Sequence, residues 1–360
     1  MNLVKMAASY LNPAQPSFLI LFVTSRCNAR CSFCFYADEL NKDKDSVSEL
    51  TTDEMERISK KCGNIPYLLL SGGEPVLRND LEEVVGFFIK NANSQFITIP
   101  SNGLSPDRSE KLFANLTEKY PGCHFRAAFS VDFSNKKHDD IRGVPGCLDS
   151  ILETTERINT LKQSRNNLTL DILTVYLQEN ASVHSELREW VREKINPDNH
   201  ELHLLRPDWP NVTVDGLNTD QFLEEIMVYR KASTSKETRF LSPFFRGLNS
   251  VYIQNLRRIM NGEHISRCTA GRKITVITET GIVRLCEARE DILGDLRKSN
   301  YDLRKILKES KEILHTMNRN KCSCTWECAI STNIVSTPSF LPSLLGATIS
   351  QFFSSRKNRS

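Results

Sequence analysis

The strongest constraint on the fold is a regular alternation of apolar runs with helix-like segments from residue 18 to about residue 206. The apolar runs have the length and side-chain content of buried strands. They are residues 18–23, 67–71, 95–100, 124–131, 168–177 and 200–205. The segments between them have helical periodicity, and the first, residues 51–62, opens with two threonines suited to capping a helix. This alternation predicts an α/β fold with a parallel sheet and helices outside it.

A group of three cysteines directly follows the first apolar run. Cys27, Cys31 and Cys34 form a C-x3-C-x2-C pattern in a loop that leaves the end of the predicted strand. Three thiolates so close in sequence can hold a metal ion or an iron–sulfur cluster. An ordinary cluster takes four protein thiolates, so three leave one iron open to a small molecule. Arg26 and Arg30 flank the pattern, and nearby positive charge favours thiolate over thiol.

This cysteine pattern, with Phe33 before the last cysteine, resembles the signature of the radical S-adenosylmethionine (radical SAM) enzymes. The resemblance implies a 4Fe–4S cluster on Cys27, Cys31 and Cys34, whose fourth iron would chelate S-adenosylmethionine. One electron from the cluster would cleave this cofactor and release a 5′-deoxyadenosyl radical. The family fold is a partial (βα)6 TIM-type barrel, in which the chemistry lies at the carboxyl ends of the strands. A zinc knuckle with a remote fourth ligand is the alternative for the cysteines alone.

The segment Ser71-Gly72-Gly73-Glu74-Pro75 follows the second apolar run. Its two glycines let the backbone approach a ligand closely, although such a segment by itself is more often a simple turn. It is similar to the GGEP motif of the family, and this implies that Gly72, Gly73 and Glu74 bind the amino group of S-adenosylmethionine. Ser101-Asn102-Gly103 after the third run looks like the family's TNG segment, with an ordinary tight turn as the alternative.

A further polar series follows the fourth apolar run: Ser130-Val131-Asp132, His138-Asp139 and Arg142-Gly143. It is similar to a run in peptide- and small-molecule-modifying members of the family. The resemblance implies that Ser130 contacts the ribose region of the cofactor and that Arg142 reaches its carboxylate, which a planar guanidinium can bind bidentately. Asp132 is expected to serve either substrate or cofactor, and His138 to be structural. No residue is assigned as a catalytic acid, base or hydrogen donor.

A second cysteine group lies between residues 268 and 328. Cys268 precedes an alternating strand pair around Glu279-Thr280-Gly281, which predicts a hairpin that ends near Cys286. The group closes with Cys322, Cys324 and Cys328. It resembles the SPASM/twitch auxiliary domain of radical enzymes but has five cysteines where a full SPASM domain has seven. The resemblance implies one auxiliary 4Fe–4S cluster on Cys268, Cys286 and two of the last three cysteines, with structural zinc as the alternative.

The composition limits partners and compartment. Lys and Arg total 47 against 44 Asp and Glu, so no nucleic-acid partner is expected. Most of the 11 cysteines lie in two groups, a pattern typical of metal sites and not of disulfide bonds. This favours a reducing compartment, and we expect a cytoplasmic protein. The apolar segment near the C-terminus, followed by basic residues, suits a docked helix better than a membrane-surface helix, and membrane association is not expected.

The expected organisation is an N-terminal segment (1–17), a radical SAM core (18–206), a connector (207–264), a SPASM/twitch-like auxiliary cluster domain (265–330) and a C-terminal tail (331–360). The expected function is hydrogen abstraction from a peptide or small-molecule substrate, leading to oxidation, epimerisation or cross-linking. A flavodoxin or ferredoxin would supply the electron. The alternative function is a non-catalytic module with two cysteine zinc sites. The sequence does not identify the substrate.

Overall fold

A computed structural model describes residues 15–40, 48–205, 218–232, 242–319 and 324–357. Within these ranges nine strands form one sheet, in the order β6-β5-β4-β3-β2-β1-β7-β8-β9. The strands are β1 (Phe18–Thr24), β2 (Tyr67–Gly72), β3 (Phe96–Ser101), β4 (His124–Ser130), β5 (Leu168–Tyr176), β6 (Asn199–Leu204), β7 (Ile274–Ile277), β8 (Ile282–Cys286) and β9 (Arg289–Asp295).

The helices of the described ranges follow the strands in alternation up to β6 and then continue through the C-terminal part. They are α1 (Ala37–Leu40), α2 (Thr52–Lys61), α3 (Leu81–Ala92), α4 (Pro106–Lys119), α5 (Lys137–Arg142), α6 (Cys147–Lys162), α7 (His184–Lys194), α8 (Thr219–Ala232), α9 (Ser242–Met260), α10 (Leu303–Glu309), α11 (Lys311–Arg319), α12 (Glu327–Ser336) and α13 (Leu341–Lys357). Helix α2 begins with a capping box between Thr51 and Glu54, as its sequence predicts.

Strands β1 to β6 are parallel, and each pairs with its neighbour in the sequence. Right-handed crossovers between consecutive neighbours place the connecting helices on one face of the sheet. Residues such as Leu68 and Ile99 on that face are fully buried against the helices. The parallel α/β architecture predicted from the sequence is therefore confirmed, whereas closure of these strands into a partial barrel remains a prediction from the family resemblance.

We call the opposite side of strands β1 to β6 the inner face. At the amino ends of the strands this face carries a row of rings whose neighbouring centroids lie 4.4 Å (Phe18–Tyr67), 6.4 Å (Tyr67–Phe96) and 6.3 Å (Phe96–His124) apart. These side chains are only half-buried, unlike their neighbours on the helix-covered face. The inner face is thus apolar at one end of the strands and can receive polar groups toward the other.

The sheet continues past β1 into the C-terminal part of the chain. Strand β7 pairs in parallel with β1, with Phe18 opposite Ile274. β7 and β8 then form the antiparallel hairpin that the sequence predicts, and Gly281 in its turn has φ +87°, which favours glycine. Strand β9 adds to β8 and was not predicted.

A second hydrophobic core forms around helices α8, α9, α12 and α13. Its fully or nearly fully buried side chains include Phe222, Tyr252, Ile334 and Leu344. The sequence predicts only a connector over residues 207–264, and the described part of that segment is two helices. Residues 206–217 and 233–241 lie outside the described residues. None of the described helices has the length and apolar character that crossing a membrane requires.

Candidate cofactor site at the carboxyl ends of the strands

The loop that carries Cys27, Cys31 and Cys34 begins where β1 ends, and all three side chains are half-buried. The backbone N–H of Ala29 lies 3.4 Å from the Cys27 sulfur and donates to it. The side-chain amide of Asn102, at the end of β3, lies 3.9 Å from the same sulfur and donates at 2.8 Å to Asn28. The predicted ligands therefore share one loop, and a neighbouring strand end supports it.

Electrostatics at this loop differ from the expectation that Arg26 and Arg30 would favour thiolates. Burial raises the pKa of Cys27, and burial together with the nearby Cys31 and Cys27 thiols raises the pKa of Cys34 to about 11. Arg30 lowers the pKa of Cys27, as expected, but burial outweighs it, and the guanidinium donates to the backbone carbonyls of Cys27 and Ala29, at 2.8 and 2.7 Å. Metal binding would have to displace the thiol protons, as is usual for thiolate ligands.

The Gly72–Glu74 segment holds the cysteine loop through its backbone. The N–H of Gly73 donates to Thr24 O at 2.7 Å, and the N–H of Glu74 donates to Arg26 O at 2.7 Å. A Cβ atom on Gly73 would lie 2.2 Å from Arg26 O, so only glycine allows this approach. Gly72 has φ +106°, and a Cβ there would lie 2.4 Å from Thr24 O. These glycines are required by the contact with the cysteine loop.

The Glu74 carboxylate is buried and connects the ends of β2 and β3. It accepts the N–H of Asn102 at 2.7 Å and that of Val76 at 3.2 Å. Burial raises the pKa of Glu74 to about 7, against the lowering effect of these donors. Through Asn102, this carboxylate is linked to the Cys27 sulfur. Glu74, Asn102 and Cys27 therefore form one structural unit, as their placement after adjacent strands predicts.

Helix α5 packs on the other side of the cysteine loop. The N–H of Arg30 donates to Arg142 O, and the N–H of Ser32 donates to Ile141 O, both at 2.9 Å. Gly143 ends the helix with φ +65°, and a Cβ there would lie 2.8 Å from Arg30 O. The loop is thus held between the Gly72–Glu74 segment and α5.

The Arg142 side chain, predicted to bind the cofactor carboxylate, makes a buried ion pair with Asp132. Its Nε atom donates to Asp132 at 2.9 Å, and an Nη atom makes a second, shorter contact. The other Nη atom lies 3.6 Å from the Cys31 sulfur. The guanidinium also lies over the Phe33 ring, at 5.1 Å. Ser130 is half-buried at the end of β4, two residues from Asp132.

The inner face also carries a charged group that the sequence analysis did not single out. Arg126 contacts Asp171 and lies 2.8 Å from Glu201. Glu201 lies 3.4 Å from His203, which in turn lies 3.8 Å from Glu327 of α12. Charged residues inside the strand runs HFRAAFS, LTLDILTVY and NHELHL are the signal that could have revealed it, because buried parallel strands are normally apolar.

The second cysteine group lies where β7, β8 and α12 meet. Cys268 and Cys286 are buried, and Cys324 and Cys328 are half-buried. Thr269 donates its N–H to Asn333 of α12 at 2.8 Å. A Cβ on Gly271 would lie 2.7 Å from Leu285, which precedes Cys286. The Cys268 segment therefore contacts both the strand that carries Cys286 and the helix that carries Cys328.

Cys322 lies outside the described residues. Within the ranges that the structure describes, no three or more His, Cys, Asp or Glu side chains are gathered to hold a single metal ion. The donor sets remain those of thiolate chemistry, with three soft sulfur ligands in the first loop and more around α12. The three thiols share one loop, and Cys27 and Cys31 are close enough to raise the pKa of Cys34. Such a set suits an iron–sulfur cluster, in which each thiolate binds a different iron.

Comparison with known proteins finds one family model and several partial relatives. Residues 21–191 match the family model described as the Radical SAM superfamily. The AdoMet-dependent heme synthase of Methanosarcina barkeri is 29% identical over 163 residues, which are 42% of this chain and 44% of that protein. A GTP 3′,8-cyclase of Clostridium perfringens is 26% identical over 170 residues, which are 45% and 47%. The chain thus spans about half the length of the curated relatives it matches.

Solved structures share the fold over more of the chain. A structure of anSMEcpe with bound AdoMet has a TM-score of 0.57 and 16% identity, and the alignment covers 95% of this chain and 98% of that one. Streptococcus suis SuiB bound to the precursor peptide SuiA has a TM-score of 0.59 and 15% identity, with 90% and 74% covered. At such identities the likeness describes the fold.

Proposed function

We propose that the chain is an enzyme, with the radical SAM domain that residues 21–191 match, that cleaves S-adenosylmethionine reductively and abstracts hydrogen from a bound substrate. The 4Fe–4S cluster would be held by Cys27, Cys31 and Cys34. When bound, it would supply the electron that converts the cofactor to a 5′-deoxyadenosyl radical. Such a cluster needs a reducing compartment, which we take to be the cytoplasm, and a flavodoxin or ferredoxin as electron donor.

The observation that carries this proposal is the fixed position of the cysteine loop. Its backbone is hydrogen-bonded to Gly73 and Glu74 on one side and to Ile141 and Arg142 on the other. The two glycines with the closest approaches, Gly72 and Gly73, allow no side chain there. A loop fixed from two sides can present its three sulfur atoms in one arrangement before a cluster binds, which reduces the ordering cost of binding.

The cofactor would lie across the strand ends beside this loop. Gly72, Gly73 and Glu74 are the proposed contacts of its amino group, Ser130 that of its ribose and Arg142 that of its carboxylate. Glu74 and Arg142 already have protein partners in Asn102 and Asp132. Each could also contact an ammonium or a carboxylate, since an ionised carboxylate accepts several hydrogen bonds and a guanidinium donates five.

The substrate would bind on the inner face, next to the strand ends where the radical is released. The side chains of Arg126, Glu201 and His203 are 20%, 38% and 30% exposed on this face. Exposed charges of both signs suit a substrate with polar groups. Among the similar proteins, SuiB is bound to a precursor peptide, and the two relatives are a heme synthase and a GTP 3′,8-cyclase. We propose a peptide or a small metabolite as the substrate class.

An auxiliary 4Fe–4S cluster is proposed on Cys268, Cys286 and two of Cys322, Cys324 and Cys328. The contacts of Thr269 with Asn333 and of Gly271 with Leu285 support it, because they bring three separate cysteine-bearing segments to one place. As at the first loop, these contacts would hold the cysteines in position before a cluster binds. The cluster would hold the substrate or accept its electron, and residues 265–330 would form a SPASM/twitch-like domain.

The test is formation of 5′-deoxyadenosine by anaerobically reconstituted protein with dithionite. The variant with Cys27, Cys31 and Cys34 changed to Ala should form none. Cys62→Ala and Cys123→Ala are matched controls, because these thiols are buried in the same domain away from the loop, and both should remain active. A colourless zinc-containing wild-type protein, or cleavage by the triple variant, would refute the proposal. The first of these results would favour the non-catalytic zinc module.

A further inference from the structure

The Asp132–Arg142 pair is enclosed beside the cysteine loop. Asp132 is fully buried and Arg142 is 7% exposed. Both carboxylate oxygens of Asp132 have partners, since one accepts the N–H of Val175 at 2.8 Å and the other accepts Arg142. Both oxygens of this buried carboxylate are therefore held by groups of the protein itself.

Arg142, the cation of this pair, is the residue that contacts the cysteine loop. The guanidinium of Arg142 contacts Asp132 on one edge and the Cys31 sulfur, at 3.6 Å, on another. His138 also faces Asp132, accepting its backbone N–H at 3.2 Å. Burial lowers the pKa of His138 to about 4, so the imidazole is neutral near pH 7 and adds no charge. Arg142 thus contacts the Cys31 sulfur directly, and Asp132 is linked to that sulfur through Arg142, whereas Glu74 and Arg30 act on Cys27 in the same loop.

These charges would act on any cluster bound by the loop. Reduction adds one electron to a cluster, so a nearby cation stabilises the reduced form and raises the reduction potential. A nearby anion lowers it. Hydrogen bonds to the ligand sulfurs and the net charge around them are established determinants of cluster potential. In a buried setting these interactions are weakly screened by solvent and salt.

We infer that the opposite charges of Arg142 and Asp132 together set the reduction potential of the cluster proposed on Cys27, Cys31 and Cys34, Arg142 as the cation in contact with Cys31 and Asp132 as the anion paired with it. This inference rests on the proposed function. It assigns Asp132 an electrostatic task and gives Arg142 a role toward the cluster, separate from its proposed contact with the cofactor carboxylate. The electron itself comes from the external reductant.

The experiment is a redox titration of the reconstituted full-length protein, followed by electron paramagnetic resonance without S-adenosylmethionine, so that the cofactor contact of Arg142 plays no part. The signal that disappears in the Cys27, Cys31 and Cys34 triple Ala variant identifies the cluster. Arg142→Gln should shift its potential downward, and Asp132→Asn should shift it upward. The reduction potential of the double variant should lie between those of the wild type and Arg142→Gln, because the cation that is removed lies nearer to the cluster than the anion.

Asp198→Asn is the matched control. Asp198 is also buried, accepts a β5 backbone N–H (Leu170, at 2.9 Å) and pairs with a cation, Lys162. It precedes β6 and so lies at the amino ends of the strands, away from the cysteine loop. This variant should lose stability as Asp132→Asn does, because each removes a buried carboxylate that accepts a backbone N–H and pairs with a cation. Its cluster potential should equal that of the wild type.

The results distinguish failure of the proposed function from failure of the inference about the cluster potential. If the wild type binds no cluster at Cys27, Cys31 and Cys34, the proposed function fails. If the cluster is present but Arg142→Gln and Asp132→Asn leave its potential unchanged, or move it in the same direction, the inference is overturned. Should Asp132→Asn not fold, the double variant decides, because it leaves no unpaired buried charge. A potential for it equal to or below that of Arg142→Gln would also overturn the inference.

Discussion

The Nδ1 atom of His203 on β6 lies 3.8 Å from a carboxylate oxygen of Glu327, the first residue of α12. Cys328 is the next residue along the chain. The inner face of the sheet and the second cysteine group therefore meet at one ion pair. On its other side His203 lies 3.4 Å from Glu201. Burial alone would lower the pKa of His203, but its interactions with these two carboxylates outweigh burial and raise the pKa to about 9.

This imidazolium predicts a pH-dependent stability. A group with a raised folded-state pKa stabilises the fold fully below its unfolded pKa, about 6.5, and loses that contribution as the pH rises through about 9. The free energy of unfolding of the wild type should therefore exceed that of His203→Gln most at about pH 6, and the difference should shrink at alkaline pH. Urea unfolding of both proteins across this range measures it. A difference that does not change with pH would show that His203 is neutral in the folded protein.

Gly73→Ala should disrupt the cysteine loop. A Cβ at this position would lie 2.2 Å from Arg26 O, so the hydrogen bonds that Gly73 and Glu74 donate would be broken. We expect iron content after reconstitution to fall well below that of the wild type, with the far-ultraviolet circular dichroism retained. Gly122→Ala is the control, because its Cβ would meet nothing within 4 Å. Equal iron in both variants would contradict the role given to Gly73.

Glu74 should have separable structural and binding effects. Glu74→Ala leaves the N–H groups of Asn102 and Val76 without their acceptor, at a cost of about 1–3 kcal/mol for each buried donor. Glu74→Gln keeps an acceptor oxygen but removes the charge. We expect it to lose less stability than Glu74→Ala, because one of the two N–H groups keeps its acceptor, and to bind S-adenosylmethionine about ten- to a hundred-fold more weakly, the value of a charge-assisted contact. Wild-type affinity in Glu74→Gln, measured by equilibrium binding, would show that the cofactor is held elsewhere. Arg142→Ala is expected to weaken binding similarly.

The double variant Cys268→Ala, Cys286→Ala should lose the auxiliary cluster alone. Iron should fall by about four atoms per chain, the content of one 4Fe–4S cluster. Uncoupled formation of 5′-deoxyadenosine should persist, because Cys27, Cys31 and Cys34 lie on a different loop. Turnover of the true substrate should be lost. Unchanged iron would mean that these two residues are not cluster ligands, and zinc analysis would then be the next measurement.

The sequence predicted the strands of the parallel sheet closely because buried strands such as Phe18–Thr24 and Tyr67–Gly72 are continuous apolar runs. Strand β9, Arg289–Asp295, was missed because its charged, irregular sequence gives no such pattern. Helices α8 and α9 were missed because α8 is held by packing against β6 and α9, and α9 by packing against α12 and α13, a tertiary effect that weak local periodicity does not reveal.

The candidate site was predictable in its residue types but only partly in its contacts. The placement of Glu74 and Asn102 after adjacent strands brought them together, as parallel topology requires. The pairing of Arg142 with Asp132 could not be predicted, because ten residues of loop and helix separate them and the resemblance suggested another partner. The contact of His203 with Glu327 depends on the C-terminal helices, whose position no local pattern determines.

The pairing of β1 with β7 has a consequence for synthesis of the chain on the ribosome. Ser17 and Lys273 are joined by a hydrogen bond across 256 residues. Since the ribosome adds roughly 5–20 residues per second, one edge of β1 stays unpaired for about 13–50 s, until β7 has been synthesised. During that time a strand with five consecutive fully or nearly fully buried apolar residues, Leu19 to Val23, has an unpaired edge, the kind of surface that aggregates or recruits chaperones. Nascent chains arrested before residue 274 should therefore be bound by chaperones until β7 emerges.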